Sequence, residues 1–257
     1  MDTLFHYTTA EGLLGILNDS VFWATDLRFL NDAQEAVYAR ETLVDAVLNV
    51  DTSALPLGHP AHDHPEEFEM EFTGYKNLVA GELNSPNFPV YVTCFCEDGD
   101  LLSQWRAYGS DHGYAIEVKA DALKMAVEQI SGEPHEVNRS LMQVGYGPDA
   151  AIEVVASAMR ELGKDTNLGH YGVHAHYMAL HLTAMLAGVK HPGFEDEREW
   201  RVVAAFEYEA PEHVKFRPTP MAIVPYIEVP CPRKLSSPFE WALVDTSTSE
   251  KPACDGS

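Results

Sequence analysis

Three groups of residues in this sequence have types and spacings that could do chemistry. His6 and Tyr7 lie in a short alternating run that leads into a helical pattern. Ser103-Gln104-Trp105-Arg106-Ala107-Tyr108-Gly109 packs an amide, a guanidinium and two aromatics into about two helical turns. Glu197-Arg198-Glu199-Trp200-Arg201 sets two carboxylates and a cation on alternate positions. If the opening run is extended, His6 and Tyr7 point to opposite faces, so one of them faces any given cavity. Gln104 and Tyr108 share a helix face and can form a shelf for a planar ligand. Glu197, Glu199 and Arg201 fall on one side of a strand. A carboxylate fixed there can stabilise the positive charge that grows at a sugar's anomeric carbon as its leaving group departs. Each group also has a plainer reading: a satisfied core histidine, two core aromatic anchors, and a solvated charge ladder on an edge strand.

Other reactive residues point to less. Cys94 and Cys96 are neighbours on one strand face and cannot easily bridge each other, and Cys231 and Cys254 lie far off. The spacing lacks the Cys-x₂-Cys knuckle of zinc sites, so buried, reduced thiols are expected. His170, His174 and His181 fall near one helix face, and His62 and His64 alternate in an acidic loop, with no His-Glu-x-x-His motif. No metal is expected.

The elements that must position these residues can be read from capping and periodicity. Thr8 and Glu11 have capping-box spacing, and Leu13, Leu14, Ile16 and Leu17 give a helix from about Thr9 to Asn18 its apolar stripe. Strands are expected at Val21–Thr25, Pro89–Cys96, Gly113–Val118, Glu199–Phe206 and Tyr226–Val229. Helices are expected after an Asn31/Gln34 cap, around Phe68–Val79, over Leu101–Tyr108 with Gly109 as a left-handed stop, over Leu123–Ile130 and Ile152–Leu162, and through His170–Val189. Residues 51–65, the stretch between the Ile130 and Ile152 patterns, and the connection after Phe206 read as loops. The pattern is that of an α+β fold, a mixed, mainly antiparallel sheet with flanking helices. It reads as a single domain over residues 1–230 and a weakly structured tail over 231–257.

Forty acidic against seventeen basic residues give a formal charge of −23, which repels phosphate backbones and anionic lipid. Nonspecific nucleic-acid binding is thereby excluded. No apolar run approaches the roughly 18 residues of a membrane span, and no leader pattern opens the chain, so a cytoplasmic protein is expected.

Taken together, Phe5-His6-Tyr7-Thr8, Trp23-Ala24-Thr25, Leu30-Asn31-Asp32 with Glu35, Val92-Thr93-Cys94-Phe95, Leu102-Ser103-Gln104-Trp105-Arg106 with Tyr108-Gly109, Gly113-Tyr114-Ala115, and Glu197-Arg198-Glu199-Trp200-Arg201 resemble the bacterial family called domain of unknown function 2971 over residues 3 to 230. Two features depart from the family pattern: Cys94-Phe95-Cys96 stands where Cys-Phe-Ser is usual, and no further strand and helix follow Val229. The His-Tyr-Thr unit and the late strand glutamate are in turn similar to the His-Tyr-Glu arrangement of the ADP-ribosyltransferase superfamily. This second resemblance implies a split sheet and NAD as the substrate, cleaved at its nicotinamide–ribose bond, with ADP-ribose passed to an acceptor or water. It implies that His6 holds a ribose, that Tyr108, Tyr114 or Tyr7 stacks on nicotinamide, and that Glu199, with Glu197 in competition, stabilises the ribosyl cation. Thr8, Gln104, Trp105, Arg106 and Arg201 complete the expected nucleotide contacts. Arg28, Arg106, Arg198 and Arg201 are the cations that could face the pyrophosphate, unless each is paired with a neighbouring acid. A non-enzymatic sensor or interaction module that binds a nucleotide or a protein partner, in phage defence or stress, is the second hypothesis. A histidine-dependent metal hydrolase is the third.

Overall fold

The computed structural model describes residues 2–30, 33–54, 65–84, 88–109, 113–132, 134–162, 171–207, 212–219, 222–232 and 243–245. In chain order the elements are β1 (Thr3–Thr9), α1 (Ala10–Asp19), β2 (Val21–Asp26), α2 (Ala33–Asn49), α3 (Pro65–Leu83), β3 (Val90–Cys96) and α4 (Leu102–Gln104), which passes into a π-turn over Trp105–Gly109. Then follow β4 (Gly113–Lys119), α5 (Ala120–Gln129), β5 (Glu136–Gln143), β6 (Gly145–Tyr146), α6 (Gly147–Leu162), α7 (Tyr171–Met185), β7 (Val189–Lys190), β8 (Glu199–Phe206), β9 (Lys215–Pro218), β10 (Ile223–Pro230) and β11 (Leu243–Asp245).

Nine strands form one sheet, all of whose pairings are antiparallel, and β6 and β7 form a short parallel pair. Alternating side chains divide the strands between two cores. On one face Val90, Val92, Val203 and Ala205 pack against α2, α3, α6 and α7. On the other, Tyr91, Phe95, Val202, Ala204 and Phe206 meet Leu13 and Ile16 of α1 and Leu123 and Val127 of α5. This is the α+β architecture with a mainly antiparallel sheet.

The sheet forks at β3. One edge of β3 pairs with β8 along its length, from Val90↔Ala205 to Cys96↔Glu199. The other edge is shared: β1 meets it at Phe5↔Cys96, and β2 meets it at Thr25↔Val92 and Asp26↔Tyr91. Between those contacts the edge of Thr93, Cys94 and Phe95 has no strand partner among the described residues, because β1 and β2 diverge around α1.

Several details differ from the sequence expectations. The cap of α1 is Thr9, not Thr8: the Thr9 side chain accepts from the Gly12 backbone N–H at 3.2 Å, so Glu11 is one position short of a capping box. The Asn31 half of the second expected cap lies outside the described residues, as do residues 55–64 of the expected loop. Leu101–Tyr108 is not one capped helix: Leu101 makes no side-chain cap, and a single α-turn gives way to the π-turn. β5 lies in the stretch read as a loop, and β9 lies in the connection after Phe206. β11, within the stretch read as a tail, pairs with β4 from Leu243↔Ile116 to Asp245↔Tyr114. Among the described residues, no helix is long and apolar enough to cross a membrane.

Candidate functional site

A cavity of about 660 Å³ opens at the fork. Its wall takes His6, Tyr7, Thr8 and Thr9 from β1, Trp23 and Thr25 from β2, Val92 and the neighbouring Thr93 and Cys94 of the unpaired edge from β3, Gln104, Arg106 and Tyr108 from the α4 turn, and Arg217 from β9. The expectation that only one of His6 and Tyr7 would face a cavity does not hold. Where the strands part, both faces of β1 reach the same space.

His6 Nδ1 lies 2.9 Å from the Cys94 carbonyl oxygen. Its N–H thus takes the acceptor that the missing strand partner leaves over, which fixes Nε2 as the free acceptor. Phe22 and Phe95 flank the ring, with centroids 5.1 and 5.5 Å away. Burial, with a smaller repulsion from Arg217, lowers the His6 pKa and keeps the imidazole neutral. Tyr7 does a different job: its hydroxyl donates to the Asp98 carbonyl at 2.7 Å and accepts from the Leu101 N–H at 2.8 Å. Trp105 stands edge-on to Tyr7 and donates its indole N–H to Asp100 at 2.8 Å. These bonds clamp the entry to α4 and so aim Gln104 and Tyr108 at the cavity. A Cβ on Gly12 would lie 2.1 Å from Thr8 Oγ1, so glycine there lets the Thr8 hydroxyl approach α1 closely.

Several polar groups on this wall have no partner among the described residues. Gln104 is buried, and its carboxamide makes no hydrogen bond among the described residues. Thr93 Oγ1 and Arg217 Nε are buried and unpaired. Such groups cost about 1–3 kcal/mol each unless something else meets them. Of the four arginines considered from sequence, Arg28 pairs with Asp26, Arg198 lies near Glu97 and Asp98, and Arg201 pairs with Glu199 and Glu35. Arg106 has no carboxylate partner among the described residues and lines the cavity.

Behind the cavity floor lies a second constellation, whose members are not among the residues that line the cavity. Glu199 accepts from Arg201 Nε and Nη2, both at 2.9 Å, and from Lys190 Nζ at 2.8 Å. Lys190 also donates to Glu197 at 2.6 Å and lies 3.6 Å from Glu35, whose carboxylate bonds Arg201. Burial pushes the Glu199 carboxyl up, but Arg201 and Lys190 outweigh it and hold the pKa at about 2. The charge ladder is therefore neither solvated nor on an edge, because β8 runs between β3 and β5. Glu197 is not in the strand: it ends the turn Pro192–Glu197, and Arg198 in left-handed conformation leads into β8. Glu197 and Glu199 still converge, on Lys190, which the sequence reading did not single out. The Cys94 thiol, which lines the cavity, is within hydrogen-bonding reach of Glu199, and burial raises its pKa far from that of a nucleophilic thiolate.

Of the residues expected to contact a nucleotide, His6, Tyr7, Thr8, Gln104, Arg106 and Tyr108 share the cavity wall. Glu197, Glu199, Arg201, Trp105 and Tyr114 are not on it. Trp105 supports α4, and Tyr114 packs beside the α1/α5 core. Arg217 has no local motif around it, and only the position of β9 brings it to the site. Among the described residues no group of three His, Cys, Asp or Glu could hold a metal; His62, His64, His170 and Cys254 lie outside them.

Residues 104–202 match the model of a family described as protein of unknown function (DUF2971), and no curated protein and no solved structure matches the chain. The matched segment begins at Gln104 on the cavity wall and contains Tyr108, Lys190, Glu197, Glu199 and Arg201, whereas His6 and Arg217 fall to either side of it. Together with the motif set, the match identifies the chain's resemblance to the DUF2971 family, over residues 104–202.

Proposed function

We propose that the cavity at the fork binds a nucleotide of the NAD type. The observation that carries this reading is the set of unpartnered polar groups that face one cavity beside flat rings. The Gln104 carboxamide is free to pair with an amide or a base edge, His6 Nε2 and Thr8 with sugar hydroxyls, and Trp23 and Tyr108 offer planar surfaces. The volume lies within the roughly 300–1,000 Å³ of ordinary small-molecule sites. Binding without cleavage is the better supported form. The carboxylate required for ribosyl-cation stabilisation, Glu199, is saturated by Arg201 and Lys190 and stands behind Cys94.

ADP-ribosyl transfer is the second reading, favoured by the meeting of His6, Gln104 and Tyr108 in one cavity one strand away from a Glu199 that is ionised at neutral pH. In it, the C–N bond between ribose and nicotinamide breaks and nicotinamide leaves with the electron pair. The cation at the anomeric carbon is then captured by an acceptor hydroxyl or water, which loses a proton. Titration with NAD by calorimetry, with nicotinamide release followed in the same samples, separates the readings. The expected result is saturable binding below about 1 mM without release of nicotinamide. Release that disappears in Glu199→Gln would establish the second reading, and no saturable binding would overturn both.

A further inference from the structure

We infer that Arg217 is the anchor of an anion subsite in this cavity, built to take the phosphate or pyrophosphate group of the bound nucleotide. The inference rests on the nucleotide reading above but stands on separate residues. On a chain with forty acidic residues and seventeen basic ones, a cation without an acid beside it is conspicuous. Arg28, Arg139, Arg160, Lys190, Arg198, Arg201 and Lys215 all lie within ion-pair distance of a carboxylate. Arg217 has no such partner among the described residues. It is held in place by neutral groups instead. Nη2 donates to Thr25 Oγ1 at 2.9 Å, and the guanidinium lies 5.3 Å from the Trp23 ring and 5.9 Å from the Tyr226 ring. Those contacts fix the plane of the guanidinium, and its buried Nε–H remains undonated. A guanidinium that is oriented, partly desolvated and short of acceptors has the geometry that bidentate phosphate recognition uses.

The surroundings support an anion here. Among the described residues, Arg106 contributes a second cation to the same wall and Glu11 a single carboxylate, a balance opposite in sign to that of the chain as a whole. Thr93, whose buried hydroxyl is unpaired, lines the same wall. His6 and Arg217 line the same cavity, and the charge of Arg217 adds to the lowering of the His6 pKa by burial. The subsite therefore shares one cavity with the ring assigned to the sugar, as the phosphate and ribose of one nucleotide require. β9, in the stretch read from sequence as a loop, pairs with the expected strand β10 and brings this cation to the fork.

The test uses the full chain and three probes: adenosine, ADP and inorganic pyrophosphate. The expected result is that ADP binds more tightly than adenosine, that added salt weakens ADP and pyrophosphate but not adenosine, and that Arg217→Gln weakens ADP by about tenfold or more with adenosine unchanged. Arg217→Lys should recover part of the loss, because it keeps the charge and loses the fork. Arg106→Gln, on an exposed turn, gives a smaller loss and serves as the second variant should Arg217→Gln fail to fold. ADP binding that is insensitive to salt and within twofold of wild type in the folded Arg217→Gln or Arg106→Gln protein would overturn the subsite. Pyrophosphate binding that depends on Arg217, without any binding of NAD or adenosine, would keep the anion subsite and reject the nucleotide reading.

Discussion

The fork cavity and the Glu199 cluster lie on either side of Cys94 and treat their polar groups in opposite ways. In the cluster, Glu35, Lys190, Glu197, Glu199 and Arg201 bury three carboxylates and two cations that satisfy one another. In the cavity, Gln104, Thr93 and Arg217 keep donors and acceptors that have no partner among the described residues. Residue types alone suggested the reverse emphasis, with Glu199 as the reactive group. The difference teaches that a charged motif whose valences are filled internally is framework, whereas a polar group left short is where a ligand belongs.

The largest expected effect separates the two regions by stability. Arg201→Met leaves Glu199 buried with Lys190 as its remaining cation, and should lower the unfolding free energy by about 3–5 kcal/mol in urea titrations. Arg217→Gln should cost less than about 1 kcal/mol, since it breaks no ion pair. Equal losses would erase the distinction.

Acid should strike the cluster next. The folded-state pKa of Glu199, about 2, lies below its ordinary 4.5, so the unfolded chain takes up this proton first as pH falls. The contribution is complete above pH 4.5 and is lost toward pH 2, on the order of 3 kcal/mol, and Arg201→Met should shrink it. His6, with its pKa lowered from 6.5 by burial, adds an earlier loss in the same direction, beginning as pH drops below 6.5. Urea midpoints measured from neutral pH to about pH 3 would show both stages.

Two smaller effects divide the cavity wall itself. Thr9 lines the cavity, but its hydroxyl is occupied by the Gly12 N–H; Thr9→Ala should cost about 1 kcal/mol of stability and leave NAD affinity within about twofold. Thr93→Val replaces an unpaired buried hydroxyl by a methyl group. It should leave stability unchanged or raise it by up to about 1 kcal/mol, while NAD affinity falls a few-fold.

What was legible in the sequence follows the same division between local and assembled features. β8 was read with its observed ends, because six of its eight residues, from Arg201 to Phe206, are buried in an unbroken run at the centre of the sheet. The α3 and α6 patterns stood out by their helical period. β5 was missed because the buried Arg139, ion-paired to Glu136, breaks the apolar alternation, and because its pairing shifts register between Glu136 and Asn138. β9 is four residues long, too short for a period to show. Arg217 and Lys190 have no motif about them; they reach their partners only through tertiary structure. The fork was also illegible, since it depends on where β1 and β2 leave β3 and not on any local composition.

The most direct test of the central claim is amide hydrogen exchange with and without saturating NAD. The account predicts slowed exchange in residues 5–9, 23–25, 92–94, 104–108 and 215–219, the segments that line the cavity, with the amides around Lys190 and Glu197 unchanged. Protection confined to the Glu199 cluster, or no protection at millimolar NAD, would contradict it.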